Sequence, residues 1–353
     1  VLSAYGRLWV ADLEDNKTTV YWSDLLDGTD FQTGSSGSID LSSVLVKGND
    51  KIVGIGAHAG RLIIFCEDNI VIYADTDSDT ALNPATMQLV EVINGVGCVA
   101  RDTIQNTGTD IVFLAKDGVR SLGRLIQEKS QPMRDLSKNV RDDLIRDVEG
   151  VSDTEVIRAV YYPKEAFYLL LIPDYNRIYC FDMRQMLQDG SARVTLWDDQ
   201  THTNMYADGA LYFIGEDGLG IYSGYTDYGQ PYTMRYYTNY FDFGDSTQQK
   251  FLKRVSATVI GGSGQDLKFK VGFDYSDSYR TYVVSTAALN NAEFGIAEYN
   301  TTAEYTLGTS SDTVRMPLGG SGSVVQIGIE STIEDAQLSI QKMDMYIKQG
   351  RIY

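Results

Sequence analysis

The chain has 353 residues, with 48 Asp and Glu against 30 Lys and Arg, a formal net charge of -18, and only 2 His, 3 Cys and 6 Pro. That length suggests two domains with separate cores, and 43% hydrophobic residues with 33 Gly exclude a disordered acidic tail. The acidic excess argues against a protein that grips DNA or RNA through Lys and Arg, and no run approaches the ~18 apolar residues of a membrane helix.

The charge is uneven. Residues 1 to 225 carry 34 acidic and 19 basic groups, and residues 226 to 353 carry 14 and 11. Val1-Leu2-Ser3-Ala4-Tyr5 leads at once into the strand-like Gly6-Arg7-Leu8-Trp9-Val10 without Met or a signal sequence, so a further segment is expected upstream. Gly6–Ala11 is followed by a second strand at Thr18–Ser23. The same pairing recurs at Gly60–Phe65 with Ile70–Tyr73, at Asp110–Leu114 with Val119–Leu122, at Ala166–Leu171 with Arg177–Cys180, and at Ala210–Ile214 with Leu219–Tyr222. Each unit is an apolar strand, a turn rich in Asp, Asn or Gly, and a second strand, which is hairpin chemistry. The hairpins begin at 6, 60, 110, 166 and 210, close to the ~40–50 residue period of β-propeller blades. Each visible pair is expected to be the inner two strands of a blade, with the outer ones in the variable sequence between.

Two helices interrupt the strands. Leu136, Val140, Leu144 and Val148 recur every four residues and predict a helix near 133–149, ending at Gly150, and a shorter helix is expected over Asp182–Gln188. From about Tyr228 longer alternating runs take over: Lys250–Val259, Leu267–Phe273, Val314–Pro317, Val324–Ile329 and Ala336–Ile347. Period-two alternation of this length predicts a β-sandwich with one buried face per sheet. The expected fold is therefore all-β: a β-propeller of five to six blades over 1–228, a missing N-terminal segment being one source of the sixth, then a β-sandwich-like domain over 229–353.

Candidate chemistry is sparse, and no catalytic, cofactor or metal site is expected. Cys66, Cys98 and Cys180 are far apart, without a C-x-x-C pair, and read as buried reduced thiols. His58 and His202 lack the partners of a zinc site. Asp75, Asp77 and Asp79 alternate like the opening of a calcium loop, but Thr80 stands where Gly is needed and Thr86 where Glu is needed, so an acidic surface loop is expected. Gly261-Gly262-Ser263-Gly264 lacks a phosphate-loop Lys and reads as a turn between strands. The enzymatic alternative is a glycoside-hydrolysing or carbohydrate-binding propeller, with a carboxylate pair drawn from the turn acids Glu67, Asp68, Asp117, Asp174, Glu216 and Asp217; nothing in the sequence selects the pair. Tyr225, Tyr228, Tyr232, Tyr236, Tyr237 and Tyr240 suit either subunit interfaces or ordinary strand packing.

Gly6–Val10 with Thr19–Asp24 and Asp30-Phe31, Gly54–His58 with Gly60–Phe65, and Tyr240–Gly244 with Lys250–Val255 together resemble the tail hub or nozzle proteins of short-tailed bacteriophages, the packaged-DNA stabilisation proteins. The resemblance runs from Gly6 to Gly350, with a shortened N-terminus and no long inserted domain. It implies a non-enzymatic subunit without cofactors, assembled in the host cytoplasm as a ring of six copies in the virion tail. Its implied partners are the portal and head-to-tail adaptor above, tail fibre or needle proteins, and double-stranded DNA that passes without specific binding; membrane insertion is not implied. An acidic lumen would repel phosphates within the ~8–10 Å Debye length.

Overall fold

The hairpins foreseen in the N-terminal region form: three are the central pairs of four-stranded antiparallel sheets, and two are the second and third strands of three-stranded ones. The computed structural model describes residues 1–45, 50–75, 82–127, 135–198, 201–215, 218–261, 264–285 and 311–350. The chain divides into two units, Val1–Tyr222 and Ser223–Tyr353, a few residues before the expected 228.

The first unit contains five sheets in chain order. Sheet one is β1 (Leu2–Ala4), β2 (Arg7–Val10), β3 (Thr19–Trp22) and β4 (Gly37–Asp40); sheet two is β5 (Ile52–His58), β6 (Arg61–Cys66), β7 (Asn69–Asp75) and β8 (Met87–Asn94). Sheet three is β9 (Gln105–Asn106), β10 (Ile111–Ala115) and β11 (Gly118–Ser121), followed by α1 (Leu122–Gln127) where sheets one and two have a fourth strand. After α2 (Arg141–Gly150) come sheet four, β12 (Arg158–Tyr162), β13 (Phe167–Ile172), β14 (Arg177–Asp182) and β15 (Arg193–Asp198), and sheet five, β16 (Thr201–Ala207), β17 (Ala210–Gly215) and β18 (Gly218–Ile221).

Three of the first turns are two-residue loops with both residues at positive φ: Tyr5-Gly6 (55°, 69°), Ala59-Gly60 (47°, 72°) and Asp208-Gly209 (50°, 78°). This backbone twist matches that of the flanking strands, and glycine reaches it without steric cost.

Strand alternation explains how the sheets stack. On β6, Leu62, Ile64 and Cys66 enter a core shared with Trp9, Val20 and Trp22 of sheet one, while Ile63 and Phe65 face Ile111 and Phe113 of sheet three. On β10, Val112 and Leu114 turn the other way, towards Tyr168 and Leu170 of sheet four. Leu169 and Leu171 then meet Leu211 and Phe213 of sheet five. Because successive side chains alternate faces, every inner sheet is apolar on both sides and packs on both neighbours. This is blade-on-blade packing, the architecture of a β-propeller. Among the described residues no core cluster joins sheet five back to sheet one.

The helices differ from expectation. Residues 132–134 lie outside the described residues, and α2 begins only at Arg141. Leu136 is buried ahead of it because its amide donates to Val119 O (2.9 Å) and Ser137 Oγ accepts from Val119 N (3.0 Å), which ties this stretch to β11. Leu144 and Val148 do bury against sheets three and four. Asp182–Gln188 is not helical: Asp182 ends β14, its carboxylate accepts from Arg184 N (3.0 Å) and Arg184 Nε (2.9 Å), and this local closure competes with a helical turn.

The second unit has two sheets. One runs β19 (Tyr232–Tyr237), β25 (Val325–Ile333), β21 (Asp266–Phe273), β22 (Arg280–Ser285); in the other, β20 (Lys250–Gly261) pairs β23 (Ser311–Met316) and β24 (Gly320–Gly322), and also β26 (Leu338–Gln349). Leu252, Val255 and Val259 of one sheet share a core with Phe269, Val271 and Ile327 of the other, which makes a sandwich. The glycine-rich segment after Gly261 therefore crosses between sheets; Gly262 and Ser263 lie outside the described residues.

A cationic cavity at the propeller axis

The first strand of each sheet, which the hairpin pattern did not reveal, builds the candidate site. A cavity of about 380 Å³ is lined from all five sheets: Val1 beside β1, Ile55 of β5, Arg101, Asp102, Ile104 and Gln105 at the approach to β9, Arg158 and Ala159 of β12, and Thr203 and Asn204 of β16. Lining from the first strands of sheets two to five, and from the residues just ahead of β1 and β9, places the cavity on the propeller axis.

Its charged wall is held from beneath. Arg101–Thr103 is a single 3-10 turn whose Thr103, fully buried, donates to Ala100 O (2.6 Å) and accepts from Leu114 N (3.2 Å). Tyr168 of sheet four donates to Thr103 O (2.8 Å); burial pushes its phenol well above the ordinary value, so it stays a neutral donor. This anchoring leaves Arg101 and Asp102 on the cavity side. Asp102 Oδ1 lies 3.3 Å from Arg101 Nε, and Oδ2 lies 3.9 Å from Arg158 Nη1. Two guanidinium groups thus share one carboxylate.

Beside β12, the pairing of β16 with β17 shifts register between Thr201 and Thr203, after which Asn204 stands opposite Phe213. Asn204 is 8% exposed, and among the described residues neither its Oδ1 nor its Nδ2 has a partner. Leaving a buried polar group unpaired costs about 1–3 kcal/mol.

The turn acids considered for a carboxylate pair sit elsewhere. Asp68 pairs with Lys116 (2.7 Å), Glu67 with Lys51 (3.6 Å) and Asp117 with Arg120. Asp174 is exposed in a 3-10 turn, while Glu216 and Asp217 lie outside the described residues. These turns join second to third strands, whereas first strands line the cavity, so topology separates them from Asp102. Asp75 closes its own loop by accepting from Asn83 N (3.1 Å) and Thr86 Oγ1 (2.9 Å); Asp77 and Asp79 lie outside the described residues.

Cys66, Cys98 and Cys180 are buried free thiols, and burial pushes each up to about 12. His58 ends β5 and His202 is exposed on β16. Among the described residues no group of three or more His, Cys, Asp or Glu could hold a metal ion, and no helix is long and apolar enough to cross a membrane. The tyrosines divide: Tyr225, Tyr228, Tyr232 and Tyr236 are exposed, whereas Tyr237 donates to Glu330 (2.6 Å) and Tyr240 packs on Tyr275 at 4.4 Å.

The sequence matches no protein-family model, and no curated protein matches it. Among solved structures, PorZ, a surface component of the type-IX secretion system of Porphyromonas gingivalis, is 17% identical over 58% of this chain and 23% of its own, at a TM-score of 0.25. A Cry1Da tryptic core variant of Bacillus thuringiensis is 9% identical over 83% of this chain and 50% of its own, at 0.21. The GH32 β-fructofuranosidase BmSUC1 of Bombyx mori is 11% identical over 98% and 77%, at 0.22. The chain therefore spans less than a quarter of PorZ and half of the toxin core, and likenesses this weak carry no argument about activity.

Proposed function

We propose that this chain is a structural subunit of a bacteriophage tail nozzle or hub, one of six copies in a ring below the portal and adaptor. The ring retains packaged DNA and conducts it during ejection. The resemblance supplies the identity. The observation that supports assembly is the uncovered apolar face of sheet five. The register pairs Met205 with Tyr212, Tyr212 with Ile221 and Ile214 with Leu219, which sets these residues on one face. Leu219 is 67% exposed, Ile221 53% and Met205 45%.

Leu25 and Leu26, in the loop after β3, are exposed as well. The occupant proposed for the face of sheet five is a second copy of this chain, in the kind of heterologous contact that closes into rings. Glycoside hydrolysis has less support, because it needs two carboxylates and Asp102 is the one carboxylate lining the cavity among the described residues.

Sedimentation and electron microscopy test the reading. Six-membered rings are expected, and Leu219→Asp with Ile221→Asp should release folded monomers. A protein that stays monomeric at its highest soluble concentration would overturn it.

A further inference from the structure

We infer that the axial cavity binds a small monocarboxylate carrying neighbouring hydroxyl groups, the chemistry of a sugar acid such as a hexuronate. Charge is the first reason. In a unit with a large acidic excess, the lining side chains gather Arg101 and Arg158 against Asp102 alone, which leaves a positive surplus. An anion balances that surplus. Each guanidinium carries five N–H donors in a fork that matches a carboxylate, and the shared Asp102 occupies few of them.

Asn204 is the second reason. Its amide is a donor and an acceptor together, buried and unpartnered on a residue that lines the cavity. The fold leaves that cost uncompensated. The amide atoms are closed off from solvent, so the side chain must turn into the cavity to meet a ligand; adjacent hydroxyls would then supply both partners at once, one donating to Oδ1 and one accepting from Nδ2. Gln105 and Thr203 add further polar contacts, and the volume falls within the ~300–1,000 Å³ of small-molecule sites.

This site does not depend on ring assembly, and the two readings fail separately. The test is ligand-observed NMR titration of the full chain with D-glucuronate, D-glucose and acetate. Glucuronate should bind at least about tenfold more tightly than either, because glucose lacks the charge and acetate lacks the hydroxyls. Added salt should weaken the complex. Arg158→Gln changes a half-exposed side chain and should weaken glucuronate about tenfold without altering the fold. Asn204→Ala should weaken it as well, while raising the melting temperature of the ligand-free protein, since two unpaired buried groups disappear. Equal binding of glucose and glucuronate, or glucuronate binding unchanged in Arg158→Gln, would overturn the inference.

Discussion

Asp147 offers the sharpest test of how the helix is held to the propeller. Its carboxylate is 2% exposed, and Oδ2 accepts from Arg177 Nη1 and from Tyr179 Oη, both at 2.6 Å. The contact joins α2 to β14, so Asp147→Leu replaces a charge by an apolar group of similar size and leaves two donors behind. Arg177 is 32% exposed and can turn towards water. Tyr179, 2% exposed, cannot. Breaking a buried pair costs about 3–5 kcal/mol, and the rehydration of Arg177 places this one near the lower end, at about 3 kcal/mol. For a unit of this size that is a fall in melting temperature of about 6–12 °C. A double-mutant cycle isolates the cause. Tyr179→Phe should cost about 1 kcal/mol in the wild type, yet restore about that much in the Asp147→Leu background, where it removes the orphaned hydroxyl. The same loss in both backgrounds would refute the reasoning. The pair also sets a pH dependence. Burial pushes the Asp147 carboxyl up, but the Tyr179 and Arg177 hydrogen bonds outweigh it and hold the group below its ordinary value. Its contribution is then complete above about pH 4 and lost as pH falls through the folded-state value. Asp147→Asn should lose stability less steeply than wild type on acidification.

Two glycines should respond to a methyl group to different degrees and for different reasons. A Cβ on Gly97 would run into the backbone of Glu67 and Cys66, so Gly97→Ala should cost about 3 kcal/mol in urea denaturation. At Gly60 the space is open and only the positive φ resists, so Gly60→Ala should cost about 1 kcal/mol. A larger loss at Gly60 would contradict the blade packing. The three thiols, raised to about 12 by burial, should react with a disulfide reagent only at the rate of opening. Rapid labelling of the native protein would show a looser core.

The central hairpins were legible in the sequence because Leu62–Cys66, Ile111–Ala115 and Phe167–Ile172 are buried on both faces, which makes continuous apolar runs. The first strands were not. β9 is two residues long, and Thr201–Ala207 is mixed in polarity because one side meets the axial cavity. The clue lay in the turns ahead of the visible strands, Tyr5-Gly6, Ala59-Gly60 and Asp208-Gly209, which demand a strand on either side. The site was hidden for a related reason: Arg101, Asp102, Arg158 and Asn204 are spread over about a hundred residues, and only radial topology brings them together. The helix period at Leu136 correctly marked burial, but tertiary hydrogen bonds to Val119 decided the backbone.

The acidic excess of the first unit now has two competing origins, and one experiment separates them. Much of it performs local work. Asp24 accepts from Ser35, Asp27 from Thr29, Asp30 from Thr33, Asp40 from Ser42 and Asp189 from Ser191, and these hydrogen bonds hold each carboxyl below its ordinary range. Asn supplies one acceptor oxygen in the same turns, although the lowered carboxyls show that the charged form is the better acceptor. Asp27→Asn, Asp30→Asn and Asp40→Asn combined should lower the melting temperature modestly while removing three negative charges. On the proposed nozzle reading, if turn-building alone selected these residues, a ring of the variant should conduct DNA as one of the wild type would. If the charge keeps DNA from adhering to the lumen, the variant should retain DNA at low ionic strength and release it as salt rises. A large loss of stability would refute the capping argument, because it would show that the charges themselves hold the loops.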